Sequence, residues 1–575
     1  MLSLRARLHI AAALAAVPLF AIAARLVQLQ VLERKDLTAK VLCELRASKS
    51  ERILRGRILD RNGYVLAESL PSWSVSLDPQ MTRGRESDFP SLAAALRIPP
   101  QEVRRKARGS GRSAMLKRQL GPDELEAVKA LKLPFVAFTP DERRAYPNED
   151  LAASLLGSVG ADGKGLSGLE LEYDRALSGK LHNIALLRDG KGHTMALGSQ
   201  DAPESPPDLT LTIDRGLQHY AEAALAEAVE RNQPLWGAVV IEDPSNGEIL
   251  AMASNPPDPL KSRIFQQVYE PGSTFKTVTA AAALGEKLTH PGEEIDCTGP
   301  WALTPHVTIK DHEPEGILPL ELVMAHSSNI GMAKLGLRLG GERLYRYARA
   351  FGFGARTGVR FPGESAGLLK PRSSKDRVGL ATNAFGQGLA VTPLQLVNAY
   401  AAVANGGELL EPRVVRAVGA SPAPKPTVVR RVASPETIRL LNSMLEGVVL
   451  RGTGMSAAIP GYSTAGKTGT SQKLDPATRH YSSTDYIASF AGYVPSRRPR
   501  FVIAVILDSP RHQYYGSEVA APVFAKLARE ALALYGVPPD KPLLVRPDGA
   551  PAAAPRAAVA APKAPAARAA APRTR

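Results

Sequence analysis

The chain has 575 residues, which allows two or three domains because single hydrophobic cores rarely grow beyond about 300 residues. Its 44% hydrophobic and 22% charged residues are ordinary for a folded protein and argue against disorder along the whole chain. The net charge of +16 comes from scattered Lys and Arg without zinc-type Cys/His spacing or interleaved aromatic residues, which argues against nucleic-acid binding. A basic excess equally suits a protein beside an anionic membrane or wall polymer, or solubility alone.

The N-terminal segment predicts one membrane-spanning helix. Residues 8–31 are mostly apolar and nearly long enough to cross a membrane, and residues 1–7 before them are expected to lie in the cytoplasm. A cleaved signal peptide is the alternative, because Ala21-Ile22-Ala23 resembles a cleavage site. Arginine and lysine occur on both sides of the segment, so the distribution of positive charge does not give its orientation.

Residues 32–200 predict a mixed module without catalytic spacing. A turn signal at residues 60–63, DRNG, lies between two runs rich in β-forming residues and predicts a hairpin. GKGLSG at residues 163–168 fits a dinucleotide-binding pattern, but no convincing strand precedes it, so we interpret it as a loop. The polar, Pro-rich residues 199–208 predict a linker.

A second domain is predicted over residues 208–540. It begins with a short strand-like run, a helix from about Arg215 to Glu230, and two apolar runs joined by a turn at residues 243–247, which predict a hairpin. The last residues, 541–575, are rich in Ala, Pro and Arg and cannot bury a core, so they are predicted to be disordered.

The first chemical motif is EPGSTFK, which places Ser273 and Lys276 three residues apart before an Ala-rich run. A serine and a lysine at this spacing share one face of a helix, where a neutral lysine amine can take the proton of the hydroxyl. The pattern also arises by chance, so by itself it leaves open a serine that merely precedes a lysine near a helix start.

Two further clusters change that interpretation. SSNIG places Ser327 and Asn329 about fifty residues on, and KTGT places Lys467, Thr468, Gly469 and Thr470 on a predicted strand, where the glycine lets a ligand approach the backbone. Read alone, the first is a capped helix N-terminus and the second a surface hairpin. In this order with Ser-x-x-Lys, they are the three motifs of the penicillin-recognising serine transferases.

The whole set of motifs resembles the class B penicillin-binding proteins, membrane-anchored transpeptidases of peptidoglycan synthesis. The resemblance covers nearly the whole chain and is carried, in order, by RGRILDRNG, GLSGLELEYDRALSG, AVVIEDPSNGEILAMAS, EPGSTFK, SSN, GFGARTGVRFPGES, GQGLAVTPLQLVNAYAAVANGG, AGKTGT and IASFAGYVP. SSNIG with GFGARTGVRFPGESAG is more like the cell-division (septal) branch than the elongation branch, which more often has Asp at the position of Asn329.

The resemblance implies an α+β fold. A five-stranded antiparallel sheet covered by helices would form the transpeptidase domain, with the Ser273 helix buried behind the cleft, on an elongated N-terminal pedestal of the dimerisation type. The predicted hairpin would supply the first two strands, STAGKTGT the third, and YIASFAGYV and RFVIAVILD the last two.

The resemblance also implies catalytic roles. Ser273 would attack the carbonyl between the two terminal D-alanines of a stem peptide, and Lys276 would be the base. Ser327 would relay the proton to the leaving amine, while Asn329 would hold the substrate backbone and support Lys276. A helix N-terminus and Lys467 nearby would lower the pKa of Lys276 through electrostatic repulsion.

Substrate binding would fall to the third motif. Lys467, placed with the catalytic residues, and the hydroxyls of Thr468 and Thr470 would bind the terminal carboxylate beside Gly469. The backbone N–H groups of Ser273 and Thr470 would form the oxyanion hole.

No metal or organic cofactor is expected. Cys43 and Cys297 have no Cys or His cluster near them, and His312 and His326 receive no catalytic role because a base is already present. The implied partners are stem peptides, β-lactams as covalent inhibitors, and a polytopic glycan polymerase with other division proteins in the cell (inner) membrane. The catalytic domain would lie on the extracytoplasmic side.

Three alternatives stay open: an elongation- or sporulation-type transpeptidase, a β-lactam hydrolase or sensor, and a division scaffold whose catalysis is dispensable. The sequence also departs from the family pattern in two places. LKSRIFQQVY, before EPGSTFK, is short, and residues 297–321 keep only part of the pattern, so no substrate contacts are carried over there.

Overall fold

The computed structural model describes residues 4–37, 46–178, 181–188, 194–196, 205–475 and 480–542. Numbered along the chain, its strands are β1 (Arg46–Arg52), β2 (Ile58–Leu59), β3 (Val65–Leu77), β4 (Ala114–Leu120), β5 (Val136–Ala145), β6 (Leu181–Arg188), β7 (Thr194–Ala196), β8 (Leu209–Leu211), β9 (Trp236–Asp243), β10 (Glu248–Asn255), β11 (Glu294–Asp296), β12 (Trp301–Thr304), β13 (Val307–Ile309), β14 (Ile317–Pro319), β15 (Glu408–Leu410), β16 (Val415–Val418), β17 (Val428–Arg431), β18 (Ala465–Leu474), β19 (Tyr481–Val494) and β20 (Phe501–Asp508).

The helices are α1 (Leu4–Val27), α2 (Phe89–Leu96), α3 (Pro100–Ala107), α4 (Pro122–Ala130), α5 (Ala153–Leu156), α6 (Gly168–Glu172), α7 (Asp174–Leu177), α8 (Arg215–Asn232), α9 (Arg263–Gln266), α10 (Lys276–Gly285), α11 (Leu320–Ala325), α12 (Asn329–Ala350), α13 (Arg377–Ala384), α14 (Pro393–Ala404), α15 (Pro435–Arg451), α16 (Gly516–Val519) and α17 (Ala521–Leu534). The predicted helix after residue 214 is confirmed as α8.

Two compact units make up the chain, Met1–Arg55 with Ser178–Pro206 and Gly56–Leu177 with Pro207–Arg575. In the first, Ala12–Leu32 is long and apolar enough to cross a membrane, and no other helix of the described residues is. The first unit also contains the three-stranded antiparallel sheet β1-β6-β7. The predicted disordered tail beyond residue 542, most of the predicted linker, and Cys43 lie outside the described residues.

The predicted hairpin at residues 60–63 is confirmed, since β2 and β3 pair in antiparallel register with Ile58 opposite Ala67. Its turn is held by Asp60, whose Oδ1 accepts hydrogen bonds from the N–H groups of Asn62 and Tyr64 at 2.8 Å. Gly63 has φ of +88°, a conformation that favours glycine.

The central sheet of the second unit has the order β10-β9-β20-β19-β18 with every pair antiparallel. This confirms the α+β class and the five predicted strands. Side chains alternate between its faces because successive strand residues point to opposite sides. On β9, Val239 packs with α8 and α17, while Val240 packs with α10 and α14. The sheet is therefore buried between two helical layers.

A second sheet, β16-β8-β2-β3-β4 with β5 paired to β3, joins residues 56–177 of this unit to the residues after 206. Strand β8 pairs in parallel with β2 and in antiparallel with β16. Ile58 and Leu66 lie in the same hydrophobic cluster as Trp236 and Phe275. The domain boundary between residues 200 and 208 stays a prediction. Strand pairing and apolar packing nevertheless join residues on its two sides.

Candidate active site

Ser273 lies in a short 3-10 turn, Gly272–Phe275, that runs directly into α10. Residues Lys276–Leu284 are all buried, so the predicted buried helix after the serine is confirmed. Gly272 has φ of +53°, which glycine adopts without steric cost. The Pro-Gly pair thus turns the chain sharply before the helix and leaves the Ser273 side chain partly exposed.

Neighbouring segments hold this turn in place. The N–H of Gly272 donates to the carbonyl of Gly386 at 3.0 Å, and the Tyr400 hydroxyl donates to the carbonyl of Thr274 at 2.9 Å. From strand β18, the Ser471 hydroxyl donates to the carbonyl of Glu270 at 2.8 Å. The position of the candidate nucleophile is therefore set by contacts with three distant parts of the chain.

The Lys276 amine is fully buried and reaches the second motif. Its Nζ donates to the carbonyl of Ser327 at 2.5 Å, to the Ser327 hydroxyl at 3.1 Å and to Oδ1 of Asn329 at 2.7 Å. No side chain in the described part of the chain hydrogen-bonds the Ser273 hydroxyl. The structure thus brings Lys276, Ser327 and Asn329 into direct contact one turn away from Ser273.

Burial lowers the pKa of Lys276 from 10.5 to about 7, while the charges of Asp311 and Cys297 oppose this change. The expected direction is confirmed, but its main cause is burial rather than repulsion by Lys467. Charge repulsion acts on Lys467 instead: burial, and then the charge of Lys276, place the pKa of Lys467 well below its usual value. Both lysines are thereby poised to lose a proton more readily than exposed lysines.

The second motif lies where α11 ends and α12 begins. Ser327 has φ of +63°, Ser328 is the N-cap residue of α12, and its hydroxyl accepts from the N–H of Gly331 at 3.0 Å. The capped helix N-terminus predicted from the sequence is confirmed. A second cap, the carboxylate of Asp311, is not predicted by any local pattern, because it comes from a loop 17 residues earlier in the chain.

The third motif lies on β18, the edge strand of the central sheet. Lys467 is fully buried, and its Nζ lies 3.3 Å from the carbonyl and hydroxyl oxygens of Thr468. The Thr470 hydroxyl accepts from the N–H of Gly516 at 3.1 Å. An edge strand leaves the hydrogen-bonding groups on one side without a neighbouring strand, which is the arrangement needed to bind an extended peptide.

Gly469 is required by the packing of the protein itself. A Cβ at this position would lie 2.4 Å from the Ser489 hydroxyl and 3.1 Å from the carbonyl of Pro271. The sequence predicts that Gly469 lets a ligand approach the backbone. In the structure, what approaches Gly469 closely is the turn that carries Ser273, because β18 and that turn pack tightly.

The two histidines near the motifs make contacts at the protein surface. The ring of His312 packs on Tyr515 at 4.7 Å, and Nδ1 of His326 lies 3.0 Å from Oε1 of Glu315. Among the described residues no group of three or more His, Cys, Asp or Glu side chains has a metal-binding arrangement. Cys297 is a buried free thiol.

The family model described as "Penicillin binding protein transpeptidase domain" matches residues 237–529, and "Penicillin-binding Protein dimerisation domain" matches residues 51–209. The chain is 35% identical to a probable peptidoglycan D,D-transpeptidase PenA of Neisseria meningitidis, over 85% of this chain and 86% of that protein.

Two other relatives are nearly as similar. Stage V sporulation protein D of Bacillus subtilis is 34% identical over 85% of this chain and 79% of its own. Peptidoglycan D,D-transpeptidase FtsI of Escherichia coli is 33% identical over 84% of each chain. The crystal structure of penicillin binding protein 3 from Mycobacterium tuberculosis complexed with aztreonam superposes with a TM-score of 0.67 at 28% identity, covering 86% of this chain and 99% of that one.

Proposed function

The chain belongs to the class B penicillin-binding proteins, a family of peptidoglycan D,D-transpeptidases, and we propose that Ser273 is its acylated nucleophile. The observation that carries this proposal is the buried Lys276 amine, which has a pKa of about 7 and lies one helical turn from a partly exposed serine. A neutral amine in this position is a base for the hydroxyl.

The proposed reaction consists of two acyl transfers. The Ser273 oxygen attacks the carbonyl carbon between the terminal D-alanines while the Lys276 amine takes its proton. The C–N bond breaks, and the proton passes through Ser327 to the nitrogen of the departing D-alanine. An amine of a second stem peptide then attacks the ester, gives up its proton to the same base, and the Ser273 oxygen leaves and regains its proton.

The substrate's terminal carboxylate would be bound by the third motif. Lys467 would supply a cation once it is protonated, and the hydroxyls of Thr468 and Thr470 would supply neutral donors. The N–H groups of Ser273 and Thr470 would stabilise the oxyanion, a contribution of about a hundredfold or more for each donor. Support comes from the position of β18 at the sheet edge, beside the turn that carries Ser273.

We place this activity in septal wall synthesis during division. SSNIG and GFGARTGVRFPGESAG support the septal branch, and FtsI is among the relatives. Residues 8–31 would anchor the chain in the cell membrane with the catalytic domain outside the cytoplasm, where wall peptides are crosslinked. The dimerisation-type module would dock a polytopic glycan polymerase that supplies the glycan strands.

The test is labelling of the full chain in detergent with a fluorescent penicillin, followed by peptide mapping. We expect a long-lived label on Ser273 that is absent from Ser273→Ala, while Ser87→Ala, an exposed serine far along the chain, labels like wild type. A label that persists in Ser273→Ala would contradict the assignment, and rapid loss of the label would favour a hydrolase.

The septal role is tested with the same variant in cells that depend on this protein. Ser273→Ala should fail to complete septa although the protein accumulates normally. Normal septation with the alanine variant would favour the scaffold, and failure of elongation or sporulation with normal septa would favour the corresponding other branch.

A further inference from the structure

We propose that Asp311 is a positioning residue for acylation, whose carboxylate fixes the start of helix α12 and thereby the two residues, Ser327 and Asn329, that hold the Lys276 amine. This inference rests on the proposed roles of Ser273 and Lys276. Asp311 lies in the loop between β13 and β14, and within the described residues its side chain accepts hydrogen bonds from the N-cap residue and the first two residues of α12.

The carboxylate caps the helix. Its Oδ1 accepts from the N–H groups of Asn329 at 2.5 Å and Ile330 at 3.0 Å, and its Oδ2 accepts from the Ser328 hydroxyl at 2.5 Å. The first N–H groups of a helix have no partner within it, and the helix dipole favours a negative charge there. Asp311 therefore satisfies two of these groups directly and orients Ser328, which satisfies another.

This cap determines where Ser327 lies. With φ of +63°, Ser327 occupies a conformation that non-glycine residues seldom adopt, so its neighbours must hold it there. On its N-terminal side the N–H of Ser327 bonds weakly to Met324 at 3.3 Å. On its C-terminal side, the N–H of Ser328 donates to the carbonyl of Val323 at 2.9 Å, and Asp311 binds the Ser328 hydroxyl and the N–H of Asn329. Asp311 and the end of α11 together thus fix the backbone that presents the carbonyl and hydroxyl of Ser327 to Lys276.

The same loop orients the amide of Asn329. Its Nδ2 donates to the carbonyl of Lys310 at 3.1 Å, so its Oδ1 faces Lys276 Nζ at 2.7 Å. Adjacent residues, Lys310 and Asp311, therefore fix both the amide and the backbone of the residue that contacts the base. A loop from which family resemblance carries over no substrate contact nevertheless determines the geometry of the catalytic lysine.

Asp311 also contributes charge. The titratable groups that shift the pKa of Lys276 are Asp311 and Cys297, which follows β11, while Lys276 in turn lowers the pKa of Lys467 on β18. The negative charge of Asp311 favours the protonated amine and so opposes the lowering of the pKa by burial. Neutralising Asp311 should lower the pKa of Lys276 further, while removing its oxygens should also release the start of α12.

The experiment measures the second-order rate constant of acylation by a fluorescent penicillin from pH 5 to pH 9, on the full chain in detergent. Asp311→Asn keeps an acceptor for the two N–H groups but not the charge, so we expect its acid limb to shift to lower pH. Asp311→Ala loses the acceptors as well, and displaced reacting groups cost about 100-fold in rate. If the alanine variant does not fold, the asparagine variant decides.

Asp214→Asn is the matched control, because Asp214 caps α8 by accepting from the N–H of Leu217 at 3.1 Å. Its acylation rate and acid limb should match wild type. An unshifted acid limb in Asp311→Asn, a wild-type rate in Asp311→Ala, or an equal loss in Asp214→Asn would each overturn the inference while leaving Ser273 labelling intact. Absence of label on wild-type Ser273 would instead overturn the proposed function, and this inference with it.

Discussion

At the residue scale, Glu242 is a carboxyl group inside the central sheet that has no hydrogen-bond partner among the described residues. It lies on β9 between Ile249 and Val502 of the adjoining strands, and both of its oxygens are buried and unpaired. Burial, with repulsion by Asp243, raises its pKa to about 8. Glu242 is therefore protonated in the folded protein at pH values where an exposed glutamate is charged.

Because the pKa of Glu242 is raised in the folded protein, stability should fall as pH rises. Below pH about 4.5 the Glu242 carboxyl is protonated in both the folded and the unfolded protein, so no stability is lost through its ionisation. As pH rises from there toward 8, the carboxyl ionises only in the unfolded protein. The free energy of unfolding therefore falls by about 1.4 kcal/mol per pH unit over this range. We expect Glu242→Gln to gain stability over wild type progressively between pH 5 and pH 8 in thermal unfolding. A constant difference, or the same trend in exposed Glu126→Gln, would contradict this.

Site residues that lie in a short motif can be predicted from the sequence, whereas residues whose role depends on contacts with distant parts of the chain cannot. Ser273 and Lys276 lie in one short motif, so their proximity follows from the helix repeat. Asp311 gives no such signal because its partners begin 17 residues later, and the unpaired state of Glu242 depends on two other strands. The roles assigned to the motif residues stay predictions until acylation is measured.

At the scale of elements, the loop between α13 and α14 supports the turn that carries Ser273. Gly386 has φ of +87° and lies so close to this turn that a Cβ would be 2.0 Å from the carbonyl oxygen of Gly272. Since a backbone oxygen cannot rotate away like a flexible side chain, any substituent at Gly386 must displace the turn.

We expect Gly386→Ala to lower the rate of acylation at least about tenfold, because the reacting serine moves relative to its base. Gly406→Ala is the matched control: it has φ of +69° and nothing within 4 Å of its Cβ, so it bears the backbone strain alone. Penicillin labelling rates, with thermal unfolding to confirm folding, provide the measurement. Equal rates in the two variants would show that the contact with Gly272 has no role.

Strands and hairpins were predictable as elements because their signals are local. The turns at residues 60–63 and 243–247 and the helix starting at Arg215 all follow from adjacent residues. The sheet order β10-β9-β20-β19-β18 depends on pairing between strands more than 200 residues apart, which no local pattern specifies. GQGLAVTP was recognised as a motif, yet its contact with Gly272 becomes visible only in the folded chain.

At the scale of the whole molecule, residues 56–177 share a sheet with β8 and β16 and a hydrophobic cluster with Trp236 and Phe275 of the residues that follow. A fragment that starts at residue 208 loses β2, which pairs with β8, and exposes the apolar surface that Ile58 and Leu66 cover. Full burial of each such side chain contributes about 1.5–3 kcal/mol. We expect the fragment 208–542 to unfold at a clearly lower temperature than 56–542.

The control for this comparison is the pair of fragments 46–542 and 56–542, which differ only in residues 46–55 of the first unit and keep the same second unit. A fragment 208–542 that unfolds at the same temperature and labels with penicillin at the same rate would show that the shared sheet adds nothing to stability. Composition alone suggested a boundary near residue 200, because a Pro-rich polar segment is visible in sequence whereas β-pairing across it is not.

The two buried lysines couple the proposed binding of substrate to the uptake and release of protons. Under the proposed roles, a carboxylate that reaches Lys467 raises its affinity for a proton, so binding takes up a proton from solvent and release returns it. Acidity then strengthens binding, whereas Lys276 must be neutral to accept the serine proton and is favoured by alkalinity. The turnover rate should therefore follow a bell-shaped curve against pH, with the acid limb set by Lys276 and the alkaline limb by Lys467. The pH outside the cell membrane would then control the rate of the proposed reaction.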